Sequence, residues 1–290
     1  MFRLFRLVRE RVAVLVCAAT RRFFVKMRWM LMMVLMSSLL TAVSRGADAP
    51  KTADEVFRFA GKKMAGYQTW SAEMKQGVNM MGMTMTLQGQ TWFKHPRYSR
   101  TEMQMPMIGS FGKMTIIMGG DGIMWQQMDM LGQKKIMKID MSVLASNISA
   151  KTGQTIDAIQ NPDPARQWEN SRKFMDFTLV KADKLDNQAV WVLDGTWNKE
   201  ASRNPVLAQQ VAAVQTMRLF IGQQDGFTHR IEQLDKESKP AISIEFVNVQ
   251  FNPKLDDTMF QYKPPADTEV MDITDMSARM MQSGGGPTLP

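Results

Sequence analysis

Apolar and polar residues alternate along much of this chain, and the clearest run is Met80 to Arg100, MMGMTMTLQGQTWFKHPRYSR. Met81, Met83, Met85 and Leu87 fall on one parity, and Gly82, Thr84, Thr86 and Gln88 on the other. Period two is the mark of a half-buried strand, and threonine suits the face that meets water. The first parity continues through Gly89, Thr91 and Phe93 to His95, and Pro96 then ends the pairing because it has no N–H for a ladder. A second run places Met103, Met105 and Met107 against Glu102, Gln104 and Pro106. Two adjacent strands thus present methionine to one side. Those side chains are either core beneath a sheet or the wall of a cavity for a variable apolar ligand, a task that suits the flexible thioether.

Other patterns extend the reading. Lys51 to Gln68 predicts an amphipathic helix, with Thr52 as N-cap, Glu55 completing a capping box, and Val56, Ala60, Met64 and Tyr67 as its apolar stripe. Strands are predicted at Trp70–Val78, at the two methionine runs, and at Gly112–Gly119 and Gly122–Asp129, which form a hairpin. Gln133–Asp140, Phe177–Ala182, Ala189–Trp197, Thr216–Gly222, Phe227–Asp235 and Pro240–Phe251 follow. In the last of these the apolar parity switches from Ile242, Ile244 and Phe246 to Val247, Val249 and Phe251, which predicts a bulge. Ser142 to Met175 loses period two and reads as a mostly helical insertion, with a helix from Asp163 to Phe174. Asn204-Pro205 opens a short helix to about Val211, and another spans Ile273 to Met281 before a disordered tail, residues 282–290. About ten antiparallel strands with few helices call for a sandwich or a sheet curling toward a barrel, with the helices plugging its open side.

Charge changes one part of this picture. The net charge of +8 belongs to the N-terminus: residues 1–47 hold nine Lys/Arg and one acid. Removing these from totals of 36 and 28 leaves 27 bases and 27 acids from Asp48 onward. A neutral domain gives no argument for nucleic acid. Met27 to Ala42 is a basic-led apolar run of signal-peptide length, with cleavage expected between Ala42 and Ala49 and translation starting at Met1 or Met27. The expected organisation is therefore a leader, 1–47, and one domain, 48–281, that works in the periplasm. The single cysteine, Cys17, lies in the leader, so the domain has no disulfide, thiol nucleophile or cysteine metal site.

Four stretches together resemble the LolA-type periplasmic lipoprotein carriers and their LolB-like relatives. They are QGQTWFKHPRYSR, DGIMWQQ, GQQDGFTHRIEQLD and the closing LDDTMFQYKPPADTEVMDI, with Phe260, Pro264, Pro265 and Val270 in the terminal pattern. The resemblance runs from Ala53 to Asp272. It implies an α+β fold: an incomplete, half-open antiparallel β-barrel with a helical lid over a hydrophobic cavity. It also implies acyl chains of lipoproteins or other lipids as ligand, and a monomer taking cargo from an inner-membrane donor complex to an outer-membrane acceptor. The residue before proline in the family's W-x-K-x-P is commonly an arginine that holds the lid. Here it is His95, which takes the lid-contact role by that match.

A 16-carbon chain kept from water is worth about 13 kcal/mol at ~0.8 kcal/mol per CH₂, so only an enclosed apolar wall can carry one. Two other readings stay open. The thioethers of Met80, Met81, Met83, Met85, Met128 and Met130 could take Cu(I), although alternate residues of one strand lie too far apart to chelate it alone. The same fold could also serve a lipid-sensing regulator. No H-E-x-x-H, G-x-S-x-G, P-loop or dinucleotide fingerprint is present, and His95 and His229 are the two histidines, so neither an enzyme nor a cofactor is expected.

Overall fold

The computed structural model divides the chain into two compact units, Met1–Ala49 and Pro50–Pro290. It describes residues 49–80, 83–107, 110–130, 132–152, 169–204 and 207–282, nearly all of them in the second unit. The predicted leader, the start of the Asp163 helix and all but the first residue of the predicted 282–290 tail lie outside the described residues.

Helix α1 spans Ala53–Met64. Thr52 caps it by accepting from Glu55 N at 3.2 Å. The reciprocal bond differs from a standard capping box, since the Glu55 carboxylate accepts from Lys51 N at 2.6 Å, one residue earlier. Six strands follow as a meander: β1 Thr69–Met80, β2 Met83–Lys94, β3 Tyr98–Met107, β4 Ser110–Met118, β5 Ile123–Met130 and β6 Gln133–Asp140. Helix α2, Met141–Thr152, starts where Asp140 Oδ1 accepts from the N–H groups of Ser142 and Val143. Strands β7 Met175–Leu185 and β8 Gln188–Trp197 come next, then two short helices, α3 Lys199–Arg203 and α4 Ala208–Ala213. Strands β9 Thr216–Gly222, β10 Thr228–Leu234 and β11 Pro240–Phe251 precede a 3₁₀ turn at Asp257–Phe260, strand β12 Val270–Asp272 and helix α5 Thr274–Gln282.

The strands form one sheet of twelve in the order β12-β6-β5-β4-β3-β2-β1-β11-β10-β9-β8-β7. All neighbours are antiparallel except β12, which pairs parallel to β6. The sheet is open, with β12 and β7 at its two edges. Residues paired between β1 and β11 lie some 170 positions apart, and Met74 faces Phe246 there. The predicted bulge is present: two steps on β1, Ser71 to Glu73, match three on β11, Gln250 to Val247, and Asn248 takes a φ of 53°. One extra residue turns the next apolar side chain back to the buried face, which is why the sequence parity switches there.

Register assigns the two faces. One row runs Leu179, Leu193, Leu219, Ile231, Ile244 and Gln76 across β7 to β1. Along β2 that parity holds Leu87, Gly89, Thr91 and Phe93. Helix α1 packs on this inner face at one end, where Val56, Phe57 and Ala60 meet Trp191, Leu193, Leu219 and Ile221. Helices α2 and α5 pack on it at the other end, where Leu144, Ile148 and Ala278 meet Met118 and Ile139. The outer face carries charge: Arg218 grips Asp194 with two bonds of 2.7 and 2.9 Å, and Arg230 donates to Glu245 at 2.7 Å. Part of the outer face is packed as well: Ile117 and Ile136 on it are 2% and 1% exposed, and the segment 257–262 covers it, where Arg100 donates to Met259 O at 3.0 Å and Tyr262 donates to Gln127 at 3.0 Å.

Candidate functional site

Between the two helical layers lies the middle of the inner face, β11 to β5. A cluster of strand residues fills its depth, with Met74, Met103 and Ile244 buried and Met114, Ile242 and Phe246 packed on them. Met103, Met114 and Met128 stand directly opposite one another on three adjacent strands. Three thioethers therefore form one continuous row, and soft, mobile side chains of this kind repack around an apolar guest.

The structure separates the expected wall residues by depth. Phe93 is 3% exposed and stacks against Trp70 at 5.8 Å, so it belongs to the aromatic core under the end of α1. Met103, at 2%, is equally deep. Leu87 and Met105 are half-buried. Met85 is 44% exposed near the end of its hairpin. Met83 and Met107 lie at the strand ends on the same inner parity, and Met81 falls outside the described residues. His95 follows the last residue of β2. Its N–H donates to Gln68 O at 2.9 Å, just past the exit of α1, and its ring edge meets Phe93 at 5.5 Å.

The thioethers named for copper fall into two groups on separate strands. Met80, Met83 and Met85 stand on β1 and β2, and Met128 and Met130 on β5, with β3 and β4 between them. That separates them by about 14 Å at ~4.8 Å per strand. Among the described residues no three His, Cys, Asp or Glu side chains group as a metal site.

One polar cluster escaped the sequence reading. His229 Nε2 lies 3.0 Å from Asp225 Oδ2 and 2.6 Å from Gln188 Nε2, which itself donates to Asp225 at 3.0 Å. Asp225 Oδ1 also accepts from Phe227 N at 2.9 Å. The signal was present in Asp-Gly followed by His three residues on, but Gln188 arrives from another hairpin. The cluster sits in the β9–β10 turn, which packs beneath α1. Both Nε2 contacts are hydrogen-bonding side chains of the turn and its neighbour, so the group pins the turn. Burial pushes the Asp225 carboxyl up, but the bonds from His229 and Phe227 N outweigh it and hold the value below the ordinary 3.8. Asp225 therefore contributes stability above about pH 4 that is lost as the pH falls through its lowered value. Asp225→Asn is expected to cost about 1–2 kcal/mol at pH 7, and the gap to the parent should narrow in melts taken toward pH 3. A gap independent of pH would show that the charge of Asp225 is not what stabilises the turn.

An open antiparallel sheet, apolar on one face and carrying helices at both ends of that face, is the arrangement the family resemblance implied. The fold is an open, mostly antiparallel α+β half-barrel. Three solved structures are similar to it at TM-scores below 0.5. One is an uncharacterized conserved protein from Thermus thermophilus, 15% identical over 76% of this chain and 98% of that one, with a TM-score of 0.46. The lipoprotein LppX from Mycobacterium tuberculosis is 10% identical over 70% of this chain and 98% of its own, at 0.41. A LolA-superfamily protein from Nitrosomonas europaea is 12% identical over 73% and 98%, at 0.31. No protein-family model and no curated protein matches the chain in sequence. Identities this low carry no residue correspondences, so no site is transferred from these proteins.

Proposed function

We propose that the protein is an extracytoplasmic carrier that shields acyl chains of lipids or lipoproteins on the inner face of its sheet. The observation that carries this reading is the continuous apolar row at the middle of that face. Leu87 and Met105 are half-buried there, above the deep Met74, Met103 and Ile244. A guest lying along the row would exchange water for thioether and aliphatic surface at roughly 25 cal/mol per Å². His95 is the proposed tie between the end of β2 and the exit of α1, through its bond to Gln68. Export would follow from the Met27–Ala42 leader, and delivery toward an outer membrane, from an inner-membrane donor to an acceptor, is the finer part of the proposal. Among the described residues no helix is long and apolar enough to cross a membrane.

Strand parity supplies the test. Leu87 faces inward and its neighbour Gln88 is exposed on the outer face. Leu87→Glu would place an unpaired carboxylate against the guest, at a cost of several kcal/mol or a forced protonation. Gln88→Glu would stay in water. With both variants shown folded by circular dichroism, displacement of a fluorescent fatty acid should weaken at least tenfold for Leu87→Glu and stay near the parent for Gln88→Glu. Equal binding by the two would remove the inner face as the lipid site.

A further inference from the structure

Alternation on β1 puts Trp70, Ala72, Met74, Gln76 and Val78 on the inner face, and Gln76 is the one that breaks the apolar pattern. It does so at depth, since it is only 9% exposed. Leu87 stands opposite it on β2 and Ile244 opposite it on β11, with Met74 and Val78 before and after it on the same face. The diagonal positions on β2 and β11 carry no side-chain nitrogen or oxygen either. Among the described residues none forms a hydrogen bond with the Gln76 side chain. An amide buried in such surroundings gives up water and gains nothing in exchange, a cost that sequences keep where function uses the group.

Other polar side chains of this face are satisfied within the protein. Thr91 and Thr101 share a hydrogen bond of 3.0 Å, and Gln126 donates to Met114 Sδ at 3.2 Å. Trp70 Nε1 is buried and unbonded too. It lies about 20 Å back along β1 at ~3.3 Å per residue. There it is sealed among Met64, Phe93 and Phe227. Gln76 instead stands in the middle of the apolar row, beside half-buried Leu87.

We propose that Gln76 selects acyl guests that carry a neutral carbonyl, an ester or an amide, by donating its side-chain N–H to that oxygen. The proposal rests on the carrier reading above and names which acyl compounds the row prefers. A glutamine amide has two N–H donors and a carbonyl acceptor, and the guest's carbonyl supplies the acceptor that the protein lacks there. A free carboxylate fits less well, because none of the inner-face positions of β11, β1, β2 and β3 is a Lys or Arg that could balance its charge. A bare alkane leaves the amide unpaired. The hydrocarbon on either side of the carbonyl would lie along Met74 and Val78.

The test compares methyl laurate with n-tetradecane, a chain of matching length without the ester, as displacers of a fluorescent fatty acid. Taking the ratio of the two on one protein cancels the affinity of the probe. Gln76→Met keeps the length of the side chain and removes its N–H. The preference for ester over alkane should be about tenfold greater on the parent than on Gln76→Met, as one buried hydrogen bond predicts. In melts without ligand the variant should match the parent or exceed it, since no internal bond is lost. Infrared spectra give a reading that needs no variant: the carbonyl stretch of methyl laurate bound to the parent should lie below its value in hexane. An equal preference on both proteins, a variant that melts below the parent, or an unshifted carbonyl band would overturn the proposal and leave the carrier reading standing. Failure of the parent to bind the probe, or to release it to either compound, would remove the carrier reading and the proposal with it.

Discussion

Gly226→Ala is expected to lower stability by about 3 kcal/mol, which for a domain of this size is a fall of roughly 6–12 °C in Tm. Two costs combine. Gly226 holds a φ of 71°, where a Cβ costs about 1–2 kcal/mol. The added Cβ would also lie 2.8 Å from Ala60 Cα and 2.9 Å from Lys63 Cβ, inside the helix that rests on this turn. Backbone cannot swing aside as a side-chain tip can, and overpacking of this kind costs about 1–3 kcal/mol. Gly122 separates the two costs. Its φ is 76°, but a Cβ there would meet nothing within 4 Å. Gly122→Ala should therefore lose only the conformational part, about 1–2 kcal/mol. Urea melts of the two variants beside the parent decide the point. Equal losses would mean that α1 does not depend on its seat over the β9–β10 turn.

Strand existence was legible from alternation, in places to the residue. Gln133–Asp140, Thr216–Gly222 and Pro240–Phe251 have the predicted bounds. The bulge opposite β1 was readable because a one-residue insertion must shift parity. The N-cap at Thr52 was readable because a hydroxyl before an apolar stripe has a specific donor to satisfy. Strand β12 was missed. Val270–Asp272 is too short to show a period, and it is defined by partners elsewhere, as when Ile273 N donates to Lys138 O at 3.0 Å. The helix expected from Asn204-Pro205 to about Val211 is found at Ala208–Ala213, and a separate short helix, Lys199–Arg203, precedes it because Asn198 accepts from the N–H groups of Glu200 and Ala201. Of the Ser142–Met175 insertion, α2 is helical and begins one residue sooner, at Met141, because Asp140 supplies its cap. No single segment states that β1 pairs with β11, since that contact closes only once the intervening strands are placed.

The site was legible in direction and not in depth. Parity put Met85 and Met103 on one face, and register confirms that they share it. Yet Met85 is exposed and Met103 is buried. Alternation reports which side of a strand a residue takes. How far it lies from the sheet's rim depends on strand length, and on helices whose positions the strand sequence does not encode. The His229–Asp225–Gln188 cluster was hidden for the same reason: two members flank one turn, and the third comes from a neighbouring hairpin.

Gly89→Ala should disturb the candidate site more than any other single methyl group added to it. Gly89 lies on the inner parity of β2, opposite Met103. Its φ is not in the left-handed region, so its reason to be glycine is close approach. A Cβ there would run into the carbonyl oxygen of Glu102 and lie 2.9 Å from both Glu102 C and Met103 Cα. All three atoms are backbone, so β3 itself would have to move outward. Glu102 is held on the outer face by Lys113 at 2.8 Å and by Arg100, and Met103 is wedged against Met74 and Ile244. The displacement is thus resisted from both faces, which puts the cost near the upper end of overpacking, about 3 kcal/mol. Gly61→Ala is the counterpart. A Cβ at this position in α1 meets nothing within 4 Å, and the change should stabilise by about 0.5–1 kcal/mol through the helix preference alone. Thermal melts should therefore move in opposite directions for two glycine-to-alanine changes. Fatty-acid displacement adds the functional half: Gly89→Ala should bind more weakly at a temperature where it remains folded, because Met103 no longer sits under the row. Gly61→Ala should bind as the parent. A Gly89→Ala protein that melts and binds like the parent would mean that β2 and β3 do not approach at Gly89 as closely as the structure places them.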